Sequence, residues 1–358
     1  MYYALIMAGG VGTRLWPLSR RNRPKQALEL VGERTMFEHA VDRVAPVFQP
    51  GQIFVVTVAE HVESLTAQAP ELPPENFIVE PEGRGTAPAI GLGAVHLRRR
   101  DREAIMAVLT ADHFIADVAS FRQVLAAAAQ VAEEGHLVTL GIKPSSPSTG
   151  YGYIKQGESL GVVEGFPIFR AARFTEKPSL ETAFQMVESG EYSWNSGMFI
   201  WRVDRILEEF QRQMPEFYVQ LAEVEATLGT PGYQGTLGRV WPRVARQMID
   251  YGVMEGAEDV AVIPVDIGWS DVGSWTSLSE LLPADEEGNI VVGPHVGIDT
   301  RDTLIFSKGD QRLIATVGLE GMVIVDTEDA LLVCPREREQ EVRAIVRLLE
   351  SEDRGEYL

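Results

Sequence analysis

The residues Ala8-Gly9-Gly10-Val11-Gly12-Thr13-Arg14-Leu15-Trp16-Pro17-Leu18-Ser19-Arg20, with Pro24-Lys25 a few positions on, follow directly after a short apolar run, Tyr2–Met7. Glycines placed just after a strand let backbone N–H groups close on phosphate oxygens with no Cβ in the way. Arg14 can fork onto a phosphate, and Lys25 can supply a compact point charge. Two familiar loops are excluded. A Walker A loop would end in Gly-Lys-Ser/Thr, but Gly12 is followed by Thr13-Arg14; a dinucleotide fingerprint needs glycine where Leu15 stands. What remains is a polyphosphate cradle, or, more plainly, a tight structural turn beside a solvated basic loop.

Charge sharpens the choice. The chain of 358 residues has a net charge of −20, yet its first thirty residues carry Arg14, Arg20, Arg21, Arg23 and Lys25 against one acid, Glu29. So acidic a chain is not a general nucleic-acid binder, and any polyanion must be held by a local exception of this kind. Only five lysines occur (25, 143, 155, 177 and 308) among 32 basic residues. Against that arginine background, Lys25 and Lys177 are places where an ammonium is called for. The single cysteine, Cys334, rules out an intramolecular disulfide and reads as a small buried hydrophobe. No run approaches the roughly 20 apolar residues that span a bilayer, and no basic stretch precedes Tyr2, so neither a membrane segment nor a signal peptide is expected. The expected location is cytoplasmic.

The elements that must position these residues are legible as periodicity. Tyr3–Met7, Ile53–Thr57, Phe77–Glu80, Ile105–Thr110 and Leu137–Gly141 read as strands; 36–47, 87–100 and 121–134 carry apolar residues at helical spacing. Such alternation predicts an α/β fold, Rossmann-like, with a mixed, mainly parallel sheet flanked by helices and ligands beyond the carboxyl ends of its strands. From 142 to 275 the pattern loosens. Strands are expected near 151–155, 168–176 and 198–201 and helices over 179–189 and 203–213, with more helix between Pro215 and Arg246; this stretch reads as the acceptor-binding half of the same domain. Pro283-Ala-Asp-Glu-Glu-Gly288 marks a boundary, giving a domain over 1–284 and a module over 285–358. In that module short strands at 290–292, 303–306, 313–317, 322–326 and 330–333 predict a small β module, closed by a charged helix over 336–350. The Arg98–Arg102 run reads as a helix end.

The long run from Met7 to Arg20, with Pro24-Lys25-Gln26, closely resembles the sugar nucleotidyltransferase family, in the version of its mannose-1-phosphate guanylyltransferase branch. Leu-Trp-Pro-Leu-Ser-Arg and Lys-Gln separate that branch from the thymidylyl and uridylyl branches. The resemblance extends through most of the first 280 residues and implies the nucleotide-diphospho-sugar transferase fold. Glu80-Pro81 with Gly83-Arg-Gly85-Thr86-Ala-Pro-Ala-Ile90 looks like the family's base-binding segment, and a carboxylate at Glu80 suits guanine, which offers donors at N1 and N2. Gly85 stands where the family usually has Asn, which puts that contact in doubt. The resemblance implies nucleotide binding by Ala8, Gly9, Gly10, Gly12, Thr13, Arg14, Glu80, Gly85 and Thr86.

Asp112, in Thr110-Ala-Asp-His113, follows a strand as a Mg²⁺ ligand in such a fold would; the resemblance implies that role for it and for Asp271, in Trp269-Ser-Asp-Val-Gly-Ser-Trp275. His113 is read as orienting the loop, since Mg²⁺ prefers oxygen. Gly152, Glu176, Lys177, Asn195 and Gly197 match the family's sugar-phosphate motifs: Glu176 and Asn195 would hold the hexose and Lys177 its phosphate. Ile249-Asp-Tyr-Gly-Val-Met-Glu255 also matches, with no clear role. The resemblance thus implies transfer of GMP from GTP to mannose 1-phosphate, with Arg14, Lys25, Asp112 and Asp271 as the catalytic set, Mg²⁺ as cofactor, and a homodimer. The rivals are another base–hexose pair, such as glucose 1-phosphate with a thymidine nucleotide, and a silent subunit that only senses nucleotide-sugar. The latter would be expected to lose residues that are all present here. A fused phosphomannose isomerase activity is not expected: the chain has six histidines and no His-x-His.

Overall fold

A computed structural model describes residues 1–10, 12–308 and 312–358; Val11 of the glycine loop lies outside the described residues. The chain forms two compact units, Met1–Gly9 with Ala40–Ala111 and Ile115–Trp269, and Gly10–His39 with Asp112–Phe114 and Ser270–Leu358.

The first unit is built on a nine-stranded sheet: β1 (Tyr2–Met7), β2 (Ile53–Val58), β3 (Phe77–Glu80), β4 (Ile105–Thr110), β5 (Leu137–Ile142), β6 (Gly152–Val163), β7 (Phe166–Glu176), β8 (Tyr192–Arg202) and β9 (Val260–Val265). Their order is β3-β2-β1-β4-β8-β5-β9-β7-β6. β1, β2, β3 and β4 pair in parallel, as do β5 and β9, whereas β8 runs antiparallel between β4 and β5. The five strands read from the first half of the sequence all form. β1, β2, β4 and β5 are almost continuously buried, as strands covered on both faces must be. Helices Thr86–Arg100, Val118–Glu133 and Val203–Gln213 complete the layers. Leu5, Phe54, Ile90, Val108, Phe199, Trp201 and Phe210 form the centre of the core, each such burial contributing about 1.5–3 kcal/mol before chain entropy is charged.

β8 begins at the carboxyl end of β5, because the two are antiparallel with Ile142 opposite Trp194 and Gly141 opposite Asn195. The register slips between Thr139 and Gly141, a bulge of the kind that re-aims side chains near binding sites. The sheet therefore delivers Asn195 to the same end as Glu80, the last residue of β3.

In the second unit six strands follow: β10 (Ile290–Val292), β11 (His295–Ile298), β12 (Leu304–Ser307), β13 (Ile314–Val317), β14 (Met322–Asp326) and β15 (Leu331–Pro335). β10, β12 and β14 pair in parallel, and so do β11 and β13, so the chain coils through alternating faces; β15 adds antiparallel to β14. Periodicity predicts short strands here, and they form, but β11 and the parallel coil are additional. A 3₁₀ segment, Arg336–Glu341, leads into the terminal helix Val342–Ser351. The core of this unit joins Leu15, Trp16, Leu18, Leu28 and Leu30 to Trp275, Phe306, Val325 and Val346.

Candidate functional site

In the second unit, the glycine loop turns at Gly12, whose φ of +74° opens the 3₁₀ turn Thr13–Leu15. A Cβ there would stand 2.5 Å from Lys25 Cβ, so only glycine lets the loop close over the lysine. Ser19 Oγ donates to the Gly12 carbonyl at 2.8 Å. A Cβ at Gly10 would meet nothing within 4 Å, and the same holds at Gly9 in the first unit. Among the described residues no contact demands glycine at these two positions. Ala8, also in the first unit, is tied down by its N–H to Val56 O and by Thr57 Oγ1 to its carbonyl. The Leu15-Trp16-Pro17-Leu18 tail is structural: its side chains are buried, and Trp16 Nε1 donates to Tyr357 O at 2.8 Å.

Lys25 is buried, with 5 % of its surface exposed. Its ammonium donates to Asp112 Oδ2 at 2.7 Å and to the backbone carbonyl of Asp271. The turn containing Asp271 is closed by Gly273 N donating to Asp271 Oδ1 at 3.0 Å. Burial pushes the Asp112 carboxyl up, but Lys25 and His113 outweigh it and hold the group below its ordinary value, so it is ionised at neutral pH. One lysine thus gathers two residues 159 positions apart in the chain (112 and 271). The donors are oxygens only. Among the described residues no group of three or more His, Cys, Asp or Glu gathers as a closed metal cage, but Mg²⁺ asks only for one or two carboxylates completed by substrate phosphates and water, and this pair fits it. Arg14 is half-buried. Burial, Arg14 and Arg347 together push the Arg343 guanidinium of the terminal helix below its usual value. The charge pattern of that helix predicts a solvated face, and Arg343 and Arg347 are indeed exposed, with Arg343 near enough to Arg14 to feel its charge.

In the first unit, Glu80 is 4 % exposed, and among the described residues its Oε1 has no hydrogen-bond partner. Burial raises its pKa to about 8, opposed by a hydrogen bond from the Arg84 backbone. Gly85, at φ +92°, precedes the helix Thr86–Arg100, and a Cβ there would stand 2.4 Å from Gln247 O. The asparagine usual in the family would not fit without moving that carbonyl. Thr86 Oγ1 accepts from Ile249 N at 2.8 Å, so its hydroxyl serves the fold.

The sugar-phosphate candidates also meet here. Gly152 pairs with Glu176 across β6–β7, and a Cβ on it would come within 2.4 Å of Glu176 Oε2 and 3.4 Å of Asn195 Cβ. Lys177, in the left-handed region at φ +44°, pairs through Nζ with Glu176 Oε1. Asn195 donates from Nδ2 to Asp250 Oδ1 at 2.6 Å and accepts from Gly197 N at 3.1 Å. Gly197 has φ +68° with open space where a Cβ would be. Tyr151 packs its ring against Trp194 and Trp269. Asp250 has no role on sequence grounds; its one signal there is the Ile-Asp-Tyr-Gly motif.

Residues 3–288 match the nucleotidyl transferase family, and residues 293–349 match the mannose-phosphate isomerase/GMP-like β-helix domain. The chain belongs to the nucleotidyl transferase family. It is 42% identical to the xanthan biosynthesis protein XanB of Xanthomonas campestris, across 98% of this chain and 74% of that protein. It is 40% identical to the mannose-1-phosphate guanylyltransferase of Escherichia coli K12, across 99% of this chain and 75% of that one. Among solved structures, a Thermus thermophilus protein described as a mannose-1-phosphate geranyltransferase superposes with a TM-score of 0.86 at 36% identity, covering 98% of this chain and 99% of that one.

Proposed function

We infer that the chain transfers GMP from GTP to α-D-mannose 1-phosphate, giving GDP-mannose and pyrophosphate. The observation that carries the choice of base is the buried Glu80 carboxyl with an unpartnered oxygen at the end of β3. Once it gives up its proton this carboxyl can accept from guanine, which brings donors at N1 and N2, whereas thymine brings no such pair. An oxygen of the mannose phosphate attacks the α-phosphorus in line. The new O–P bond forms as the bond to the β-phosphate bridging oxygen breaks, and pyrophosphate carries away the electron pair. The acceptor phosphate is already ionised at neutral pH, so no protein nucleophile is needed, and positioning with charge neutralisation supplies the catalysis.

In this reading the backbone at Gly10 and Gly12 cradles the triphosphate, and Arg14 and Lys25 take the charge that builds on pyrophosphate. Lys25 would give up its hold on Asp112 to do so. Glu176 and Asn195 hold hexose hydroxyls and Lys177 the hexose phosphate. Asp112 and Asp271 would hold Mg²⁺, which when bound lowers the repulsion between the two anionic substrates. Among the described residues no helix is long and apolar enough to cross a membrane; with GTP and a sugar phosphate as substrates, a cytoplasmic homodimer is the form we propose.

Pyrophosphate release measured across the four NTPs and a set of hexose 1-phosphates tests the reading. GTP with mannose 1-phosphate should exceed every other pair, and a higher rate with a thymidine nucleotide would overturn the guanine assignment. In the same assay Asp271→Asn should abolish turnover while leaving the circular dichroism spectrum unchanged. Near-normal Mg²⁺-dependent rates in that variant would refute the metal assignment.

A further inference from the structure

Resting on the hexose site proposed above, we infer that Asp250 is a positioning residue for the acceptor sugar, setting which way the Asn195 amide faces from a segment pinned to the base-binding loop. A continuous set of hydrogen bonds in the first unit makes the case. Gln247 N donates to Arg84 O at 3.0 Å, and Ala87 N donates to Gln247 O at 3.1 Å. Ile249 N donates to Thr86 Oγ1 at 2.8 Å. The close approach of Gly85 to Gln247 O leaves this segment no slack on the base side. Asp250 then accepts from Asn195 Nδ2 at 2.6 Å, and Asn195 Oδ1 accepts from Gly197 N at 3.1 Å.

An asparagine amide exposes a donor end and an acceptor end of nearly equal shape, and only its partners decide which faces where. A backbone N–H can only donate and an ionised carboxylate can only accept. Gly197 and Asp250 therefore select one orientation between them, leaving Asn195 one N–H and one lone pair, both at fixed places, for hexose hydroxyls. Losing Asp250 removes half of that selection and leaves the amide free to pair wrongly with the sugar. Burial leaves the Asp250 carboxyl above its ordinary value, with Glu176 adding to the rise and Asn195 and Lys177 opposing it. The acid thus shares its surroundings with Glu176, assigned to the hexose, and Lys177, assigned to its phosphate.

The test is steady-state kinetics on the full chain with GTP and mannose 1-phosphate, comparing Asp250→Ala, Asp250→Asn, Asn195→Ala and the Asp250→Ala/Asn195→Ala double variant. Asp250→Ala should raise KM for mannose 1-phosphate roughly tenfold, the scale of one lost charge-assisted hydrogen bond, while KM for GTP stays within about twofold. Asp250→Asn keeps an acceptor oxygen in place and should recover most of the loss, which an effect on folding alone would not predict. If Asp250 acts through Asn195, the double variant should be no worse than Asn195→Ala, because residues acting as a unit are not additive. An unchanged KM for mannose 1-phosphate in Asp250→Ala, with Asn195→Ala impaired, overturns this inference and leaves the hexose site standing. Full additivity in the double variant overturns it as well. An unimpaired Asn195→Ala overturns the hexose-site reading itself.

Discussion

Burial holds the Glu80 carboxyl at a pKa of about 8 in the folded chain, against an ordinary value of 4.5. Because the folded value is the higher, this group's contribution to stability is fully present below about pH 4.5 and is lost as the pH rises through 8. Glu80→Gln should therefore gain thermal stability over the parent between those limits, with the gap widest above pH 8; a gap independent of pH would contradict it. The same proton is linked to the ligand. Guanine donors favour the carboxylate, so GTP binding should expel a proton below pH 8, and its affinity should climb with pH to a plateau near that value. In Glu80→Gln binding should be weaker and flat with pH, as titration calorimetry across pH 6 to 9 would show. Single residues could be picked from the chain, Asp112 because an acid just after an apolar strand stands out and Glu80 because its segment resembles the family's base-binding motif. Their partners could not: nothing local in the sequence says that the Lys25 ammonium sits on Asp112, or that Asp250 meets Asn195.

Among the elements, the glycine loop and the turn after it decide whether the lysine can be reached. Gly12 has both a left-handed backbone and no space for a side chain. Gly12→Ala should cost about 1–3 kcal/mol of stability and displace Lys25, lowering kcat/KM far more than KM for the acceptor; chemical denaturation and kinetics would check both. A variant as stable and active as the parent would mean that the loop closes another way. The strands of the first half were legible because each is a short, nearly continuous apolar run with helices between. β9 and β11 were missed. β9 lies in a stretch broken by Pro264 and Gly268, and β11 contains Gly297 and carries its apolar residues outward, so neither gives a clean period.

On the scale of the whole molecule, the parallel coil of the second unit leaves an apolar face on β11 and β13, where Ile298 is 62 % and Val317 70 % exposed. A face of this kind is a candidate for contact with a second copy. The homodimer we propose predicts that Ile298→Glu/Val317→Glu sediments as a monomer at concentrations where the parent is a dimer. A parent that is monomeric there would overturn the proposal. The net charge of −20 works the other way, since it keeps copies apart except where an uncharged face allows approach.

The chain alone determined the local features: the alternation of strand and helix, the glycines after the first strand, the basic opening of an acidic protein, and acids at strand ends. These depend on residues within a turn or two of each other, so periodicity and motif spacing capture them. Only the tertiary structure decided that Gly10–His39, Asp112–Phe114 and Ser270–Leu358 make one compact unit. That outcome rests on Leu15, Trp16 and Leu28 burying their side chains with Trp275, Phe306 and Val346, contacts between opposite ends of the chain that no local pattern encodes. It likewise decided that the segment after Arg246 ties the base loop to Asn195, because hydrogen bonds between distant segments exist only once the sheet has placed their backbones side by side.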